Sequence, residues 1–355
     1  MRFMAKIHDL KQTSATFQTR GFVTGMKKDK AYQSGTAGNG AAWNSIEFGV
    51  NFNNNKTLFV KLRGFVRNEV YYYKSNGKGA KGDTVRVPWK DRKKSPGDGF
   101  RLIGVKITTG KDENNKNINE MMTEYDAVEY LAKNLKDGDC VFMNGNMQFS
   151  SFTDKSGQTK RKIEFAPNQI SAMNDLDFEA EDFKEMAEFE NTIVFSDIEK
   201  ETDADGKATG RFILSGYSVG YNTIENVSFI IDEAHAKLAN NLRKAIKPGY
   251  SIKTFGRVNV IVDIKASESD DDGWGEASPM ERINSPVLRE YVVYKADKDS
   301  IDKETYTEES IAKAIKAVKN VKEASAKFAD KDDSADTVNW NDDGFDDDED
   351  DNPWD

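Results

Sequence analysis

"LKDGDCVFMNGNM", residues 135 to 147, and "IKPGYSIKTFGRV", residues 246 to 258, align without a gap at an offset of 111. Leu135 meets Ile246, Gly138 meets Gly249, Val141 meets Ile252, Gly145 meets Gly256 and Met147 meets Val258. Each copy follows a helix-like run, turns at a glycine, and enters a stretch where apolar and polar residues alternate. That period of two is the pattern of a strand with one buried face. Two copies of one β-rich unit is the economical reading.

The same grammar runs through the rest of the chain. "GFVTGMK" (21 to 27), "SIEFGVNF" (45 to 52), "TLFVKLRGF" (57 to 65) and "RKIEFAP" (161 to 167) read as further strands of the first unit. "NTIVFSDIEKE" and "GRFILSGYSV", joined through the hairpin signal Asp205-Gly206, supply strands of the second. "TEYDAVEYLAKNLKDGD" (123 to 139) predicts a helix, because Tyr125, Val128, Leu131 and Leu135 recur at spacings of three and four before Gly138. A last helix is predicted over 307 to 328, with Ile311, Ile315, Val318 and Val321 on one stripe and Thr307 and Ser310 at its start. Five strands with a helix between the third and fourth is the order of the OB-fold, a small Greek-key barrel. The expected fold is therefore mainly β: two tandem OB-like (Greek-key barrel) domains plus a disordered acidic C-terminal tail. Residues 1–174 form the first domain, with a long basic and aromatic insertion. Residues 175–188 are an acidic linker or linking helix, 189–328 the second domain with its C-terminal helix, and 329–355 the tail.

Composition narrows the function. A single cysteine, Cys140, excludes an internal disulfide framework and reads as a small buried hydrophobe. His8 and His235 are the only histidines, too few for Cys/His zinc sites or Ser-His-Asp chemistry. "SGTAGNG" (34 to 40) lacks the Gly-Lys-Ser/Thr of a phosphate loop and is a turn, and neither "DADG" nor "NDDG" completes a calcium loop. The expectation is a protein with no catalytic site, no cofactor and no metal. No run reaches the ~18 apolar residues of a membrane span, and "MRFMAKIHDL" has no signal-peptide core. No membrane association is expected, and the chain should work in the cytoplasm of a bacterium or infected host.

Charge is segregated. Residues 329 to 355 hold 13 Asp/Glu against one Lys, whereas residues 56 to 116 hold 16 Lys/Arg against 6 Asp/Glu. The two regions seek partners of opposite sign. In "TLFVKLRGF" the pleat sets Leu58, Val60 and Leu62 on one face and Phe59, Lys61, Arg63 and Phe65 on the other. Aromatic faces for bases and cations for phosphates are what a single nucleic-acid strand requires. The following insertion interleaves Tyr71, Tyr72, Tyr73 and Trp89 with Arg67, Lys74, Lys78, Lys81, Arg86, Lys90, Arg92, Lys93, Lys94 and Arg101. It reads as a flexible arm that closes over a strand and becomes ordered on binding. Phe149, Phe152, Lys160, Arg161 and Lys162 are secondary candidates, and Trp43 fits either the platform or the core.

The run from Leu135 to Phe165 resembles the bacterial and phage single-stranded DNA-binding proteins. It has a Leu-x-x-Gly-Asp entry, a strand alternating into a Gly, Asp154, Ser156-Gly157-Gln158 at a hairpin turn, a basic return strand and Glu164. The chain's end is similar to theirs as well: an acidic run, then Pro353 and Trp354, with Asn352 and a terminal Asp355 as departures that point to a phage member. The resemblance implies sequence-tolerant coating of single-stranded DNA in replication, recombination and repair. It also implies recruitment of replication and recombination proteins through Asp350, Asp351, Pro353 and Trp354. Self-association is a further possibility. The first domain is expected to carry most of the binding, because the second lacks the Ser-Gly-Gln hairpin and carries the acidic loop "SESDDDGWGE". The rival readings are a scaffold β-protein with a solubilising tail, a metal-dependent nuclease, and an RNA binder.

Overall fold

The computed structural model describes residues 6–54, 56–77, 80–153, 158–203, 205–262 and 287–329. The protein is mainly β. The expected tail and the acidic loop at 267 to 276 lie outside the described residues, as do the hairpin tip Asp154, Ser156 and Gly157 and the cation Lys78.

The first unit is assembled from β1 (Ala15–Thr24), β3 (Ala42–Asn53), β4 (Lys56–Phe65), β10 (Cys140–Thr153) and β11 (Thr159–Ala172). β1 pairs with both β3 and β10, β3 with β4, and β10 with β11, all antiparallel. β4 lies alongside β11, which brings the ring round on itself. A short strand β2 (Tyr32–Thr36) flanks β3. Helix α1 (Glu124–Asn134) stands between β4 and β10, and Thr123 caps it by accepting from the Asp126 amide at 3.1 Å.

Residues 68 to 117 are not the flexible arm expected. Their described residues up to 102 include a separate three-stranded sheet, β5 (Glu69–Lys74), β6 (Asp83–Pro88) and β7 (Arg101–Leu102), in the order β6-β5-β7. A hairpin of β8 (Val105–Lys111) and β9 (Asn117–Met122) then runs back, with β8 parallel to β11. The physical reason is a small core: Val70, Tyr72, Val87 and Leu102 are buried together, with Val85, Trp89 and Phe100 packed against them.

The second unit repeats the plan with β12 (Ala187–Thr202), β13 (Ala208–Val219), β14 (Ile224–Ile231), α2 (Ala236–Ala245), β15 (Ser251–Val262) and β16 (Val287–Asp302). Pairing runs β12-β13-β14-β16-β15 and back to β12, so this ring is closed by ladders throughout. Residues 175 to 186 contain no linking helix. They cross the first unit as coil, with Phe178 against Phe22, Phe183 against Phe178, and Glu185 paired with Lys56 at 2.9 Å. The final helix α3 (Glu308–Ala329) opens on a reciprocal cap between Thr307 and Ser310, and Ile311 packs on Tyr306 and Val219 of the second unit. Residues at the start of the chain pack there too: the Ile7 amide donates to Asn222 Oδ1, and Tyr306 Oη donates to the Lys11 carbonyl.

The repeat seen in the sequence is a repeat of hydrogen bonds. The Gly138 amide donates to the Val23 carbonyl and the Val23 amide to Asp139. The Gly249 amide donates to the Phe195 carbonyl and the Phe195 amide to Tyr250. Gly138 and Gly249 hold φ of 92° and 88°, left-handed values that a side chain disfavours. Val23 and Phe195 are therefore equivalent, and so, six residues earlier in each strand, are Phe17 and Phe189. These two face each other where β1 pairs with β12. Phe17 is also opposite Gly145, and Phe189 opposite Gly256. Antiparallel pairing of equivalent residues places a pseudo-twofold axis through the Phe17–Phe189 pair, the geometry of a symmetric dimer interface built inside one chain. Phe165 and Tyr291, equivalent by their partners Met147 and Val258, stack across it at 6.2 Å. The two units consequently share one hydrophobic core.

Candidate nucleic-acid interface

On β4 the alternation works as the sequence predicts. Leu58, Val60 and Leu62 are buried, while Phe59, Lys61, Arg63 and Phe65 form the outer face and are half-covered by their neighbours. β3 sets Trp43 opposite Phe65, Ser45 opposite Arg63, Glu47 opposite Lys61 and Gly49 opposite Phe59. Trp43 belongs to this outer face rather than to the core. Its ring lies over Gly35, where a Cβ would stand 3.0 Å from it, and the Arg63 guanidinium stacks on it at 5.5 Å. Lys61 lies 3.8 Å from Glu164 and 4.0 Å from Glu47, and only 10% of its side chain is exposed, so its charge is already countered. Phe59 is overlain at 4.8 Å by Arg289, a residue of the second unit that sequence reasoning did not single out. No local pattern could have marked it, since its partner is 230 residues away in the chain.

The β10–β11 hairpin sorts its candidates by parity. Phe152 is opposite Lys160, Ser150 opposite Lys162 and Gln148 opposite Glu164, so these share the face that carries Lys61. Phe152 is exposed, and Lys162 lies 3.5 Å from Glu164. Phe149 and Arg161 point the other way. Phe149 packs edge-on against Phe229 of the second unit at 6.4 Å, and Ser151, opposite Arg161, hydrogen-bonds Glu225 there at 2.6 Å. Phe149 is part of the joint between units and is partly buried there.

The inserted sheet divides the tyrosine run in the same manner. Tyr72 faces inward with Val85 and Leu102 as cross-strand partners, and its hydroxyl donates to the Arg92 carbonyl at 2.7 Å. Burial pushes the Tyr72 phenol above its ordinary value. Arg92 grips Asp126 of α1 in a two-point contact, Nε to Oδ2 at 2.8 Å and Nη2 to Oδ1 at 2.9 Å, and stacks over Trp89 at 4.6 Å. Trp89 also meets Tyr125 edge-on at 6.2 Å. Tyr72, Trp89 and Arg92, expected from the sequence to contact a nucleic acid, lie in or against the small core and moor the sheet to α1. The opposite face is open. There Tyr71 is paired with Arg86, whose guanidinium lies 5.6 Å over its ring, and Tyr73 is paired with Arg101. Tyr73 is 42% exposed. Exposed Arg67, Lys81, Lys90, Lys93 and Lys94 surround the sheet, and Lys74 covers Phe100 at 5.6 Å.

The mooring makes a prediction. Burial pushes the Asp126 carboxyl up, but hydrogen bonds from Arg92 and Thr123 outweigh it and hold the group below the usual carboxylate range. A depressed value stabilises the fold above the ordinary Asp pKa, and this contribution fades as the pH falls through the lower, folded value. Asp126→Asn removes the charge-assisted pair, worth about 1.5–3 kcal/mol, at any pH. Amide hydrogen exchange in β5 to β7 should accelerate selectively in the variant, with β12 to β16 unchanged. Equal exchange in wild type and variant would show that the small core alone holds the sheet.

The strand of the second unit equivalent to β4, β14, does not repeat its pattern of rings and cations. Leu58 pairs with Val50, which pairs with Val23. Val227 pairs with Gly216, which pairs with Phe195. Ser228, Ile230 and Asp232 thus stand where Phe59, Lys61 and Arg63 stand, and Asp232 is engaged by His235 and Arg257. The second unit's ring and cation, Phe255 and Lys295 at 5.1 Å, lie on β15 and β16 instead.

Residues 54–330 match the family model described as YorF. Among solved structures the fold is similar to a deletion mutant and to the wild type of the single-stranded DNA binding protein from Thermus aquaticus. Sequence identity is 8% in both. The first has a TM-score of 0.37 and covers 81% of this chain and 94% of that one. The second has a TM-score of 0.35 and covers 81% and 93%. A search of curated proteins returned no match.

Proposed function

The chain belongs to the YorF family, and we propose that it is a sequence-tolerant single-stranded DNA-binding protein made of two OB-like barrels, of which the first holds the strand. The observation that carries this reading is the coincidence of rings with cations within the first unit and its inserted sheet: Trp43 with Arg63, Tyr71 with Arg86 and Tyr73 with Arg101. A ring face accepts any base, and a guanidinium beside it accepts the phosphate that follows, so the surface holds a strand without reading its sequence. A duplex hides its base faces in the stack and offers such a surface only phosphates. Unpaired bases held in this way cannot form hairpins, which is the protection a strand needs during replication, recombination and repair. No bond is made or broken in this role. The tail residues Asp350, Asp351, Pro353 and Trp354 would recruit other proteins by charge and an aromatic anchor.

The test is binding of a fluorescently labelled dT oligonucleotide against its duplex counterpart at several salt concentrations. We expect preference for the single strand and a steep salt slope. A truncation after Phe328 should bind more tightly, because the acidic tail competes for the same cations. No binding by either form of the protein would leave the scaffold reading in its place.

A further inference from the structure

At the joint between the barrels lies a cation with no carboxylate partner among the described residues. Arg289 rises from β16 of the second barrel and lays its guanidinium on Phe59 of the first, 4.8 Å from the ring centroid. Its Nε is buried with no hydrogen-bond partner, and among the described residues no carboxylate pairs with it. Other cations of the two units have carboxylates: Lys61 has Glu164 and Glu47, Lys253 has Glu190, Arg257 has Asp232, and Arg211 has Glu201 and Glu290. Burial pulls Arg289 below the ordinary guanidinium value, as expected where hydration has been removed and no countercharge supplied.

The pseudo-twofold axis shows that this is not a requirement of the joint itself. Tyr291 corresponds to Phe165, so Arg289, two residues earlier, corresponds to Ile163. One side of the axis has an aliphatic residue and serves the joint equally well. The cation appears only on the side where it meets the ring of Phe59, beside Lys61 and Arg63. A guanidinium stacked on a ring still presents its N–H edge sideways, the arrangement suited to a phosphate.

Resting on the function proposed above, we infer that Arg289 is a phosphate seat that the second barrel contributes to the strand-binding surface of the first. Phe59 holds the guanidinium in place, and the strand's backbone supplies the missing anion as it passes the joint. The second barrel, whose β14 does not repeat the β4 pattern, then completes the site of its neighbour.

The test compares the full-length wild type with Arg289→Met, Arg289→Lys and a Tyr71→Ala/Tyr73→Ala control, using labelled dT oligonucleotide across a salt series. Arg289→Met should bind about tenfold more weakly at low salt, with the slope of log K against log salt reduced by about 0.7, the value for one phosphate contact on a single strand. Its melting temperature should hold or rise, because a partly buried charge with no carboxylate partner among the described residues has been replaced by an apolar chain. Arg289→Lys should keep the wild-type slope with intermediate affinity. An Arg289→Met protein with wild-type affinity and slope, while the tyrosine control is weakened, would overturn this inference and leave the proposed function intact. A fall in melting temperature with an unchanged slope would make Arg289 a structural bolt between barrels and also overturn it. Failure of the wild type itself to bind would remove the underlying reading, and this one with it.

Discussion

Replacing Tyr71 and Tyr73 together by Ala should weaken binding of a dT oligonucleotide by at least about 30-fold. The estimate follows from the open face of the inserted sheet, where both rings lie beside arginines and neither belongs to the small core. Stacking of one base on a ring contributes about 1–3 kcal/mol, so two rings supply at least about 2 kcal/mol. At about 1.4 kcal/mol per tenfold that gives the stated factor. Stability should change little. Tyr72→Ala provides the contrast: it removes a buried ring and a buried hydroxyl donor from the small core and should unfold the sheet. The double variant is measured by fluorescence anisotropy and its folding by the melting temperature. An affinity within threefold of wild type, with the sheet intact, would move the strand's path off this face and onto β4 alone.

That division of three consecutive tyrosines shows where the sequence was legible and where it was not. The alternation Val70-x-Tyr72, matched by Val85-x-Val87, is present in the chain and marks the buried face. It was masked by the density of lysine and glycine around it, a composition that ordinarily signals disorder. Four buried side chains are enough to order so small a sheet because it is also fastened to α1 through Arg92 and Asp126. The β4 platform was easier to read, since its period of two runs unbroken over the strand. Arg289 lay beyond sequence reasoning for a different reason. Its significance depends on which ring stands across the joint, and the matching offset of 111 does not carry over from β15 to β16, whose connection is longer than that between β10 and β11.

The repeat was legible, but its consequence for stability was not. Two tandem units suggest two independent domains, each unfolding alone. The pairing of Phe17 with Phe189 and the stack of Phe165 on Tyr291 make the boundary a core instead. Gly256 shows how closely the elements approach there: a Cβ on it would come within 2.1 Å of the Phe189 ring. Phe189→Ala should therefore destabilise the protein by about 3–5 kcal/mol, the range for a buried phenylalanine truncated to a cavity. Phe17→Ala, its counterpart across the axis, should cost a similar amount. Because the two rings are linked through the stacked pair Phe165 and Tyr291, the double variant should cost less than the sum of the two single changes. Hydrogen exchange locates the effect. If the joint is one cooperative core, Phe189→Ala lowers protection in β3 of the first barrel as well as in β13 of the second, since both strands then open only through the same global unfolding. Lost protection confined to β13 would mean that the barrels unfold separately, and that the shared sheet aligns them without coupling their stabilities. On the coupled outcome, the β3–β4 face keeps its geometry because the second unit serves as a permanently attached partner.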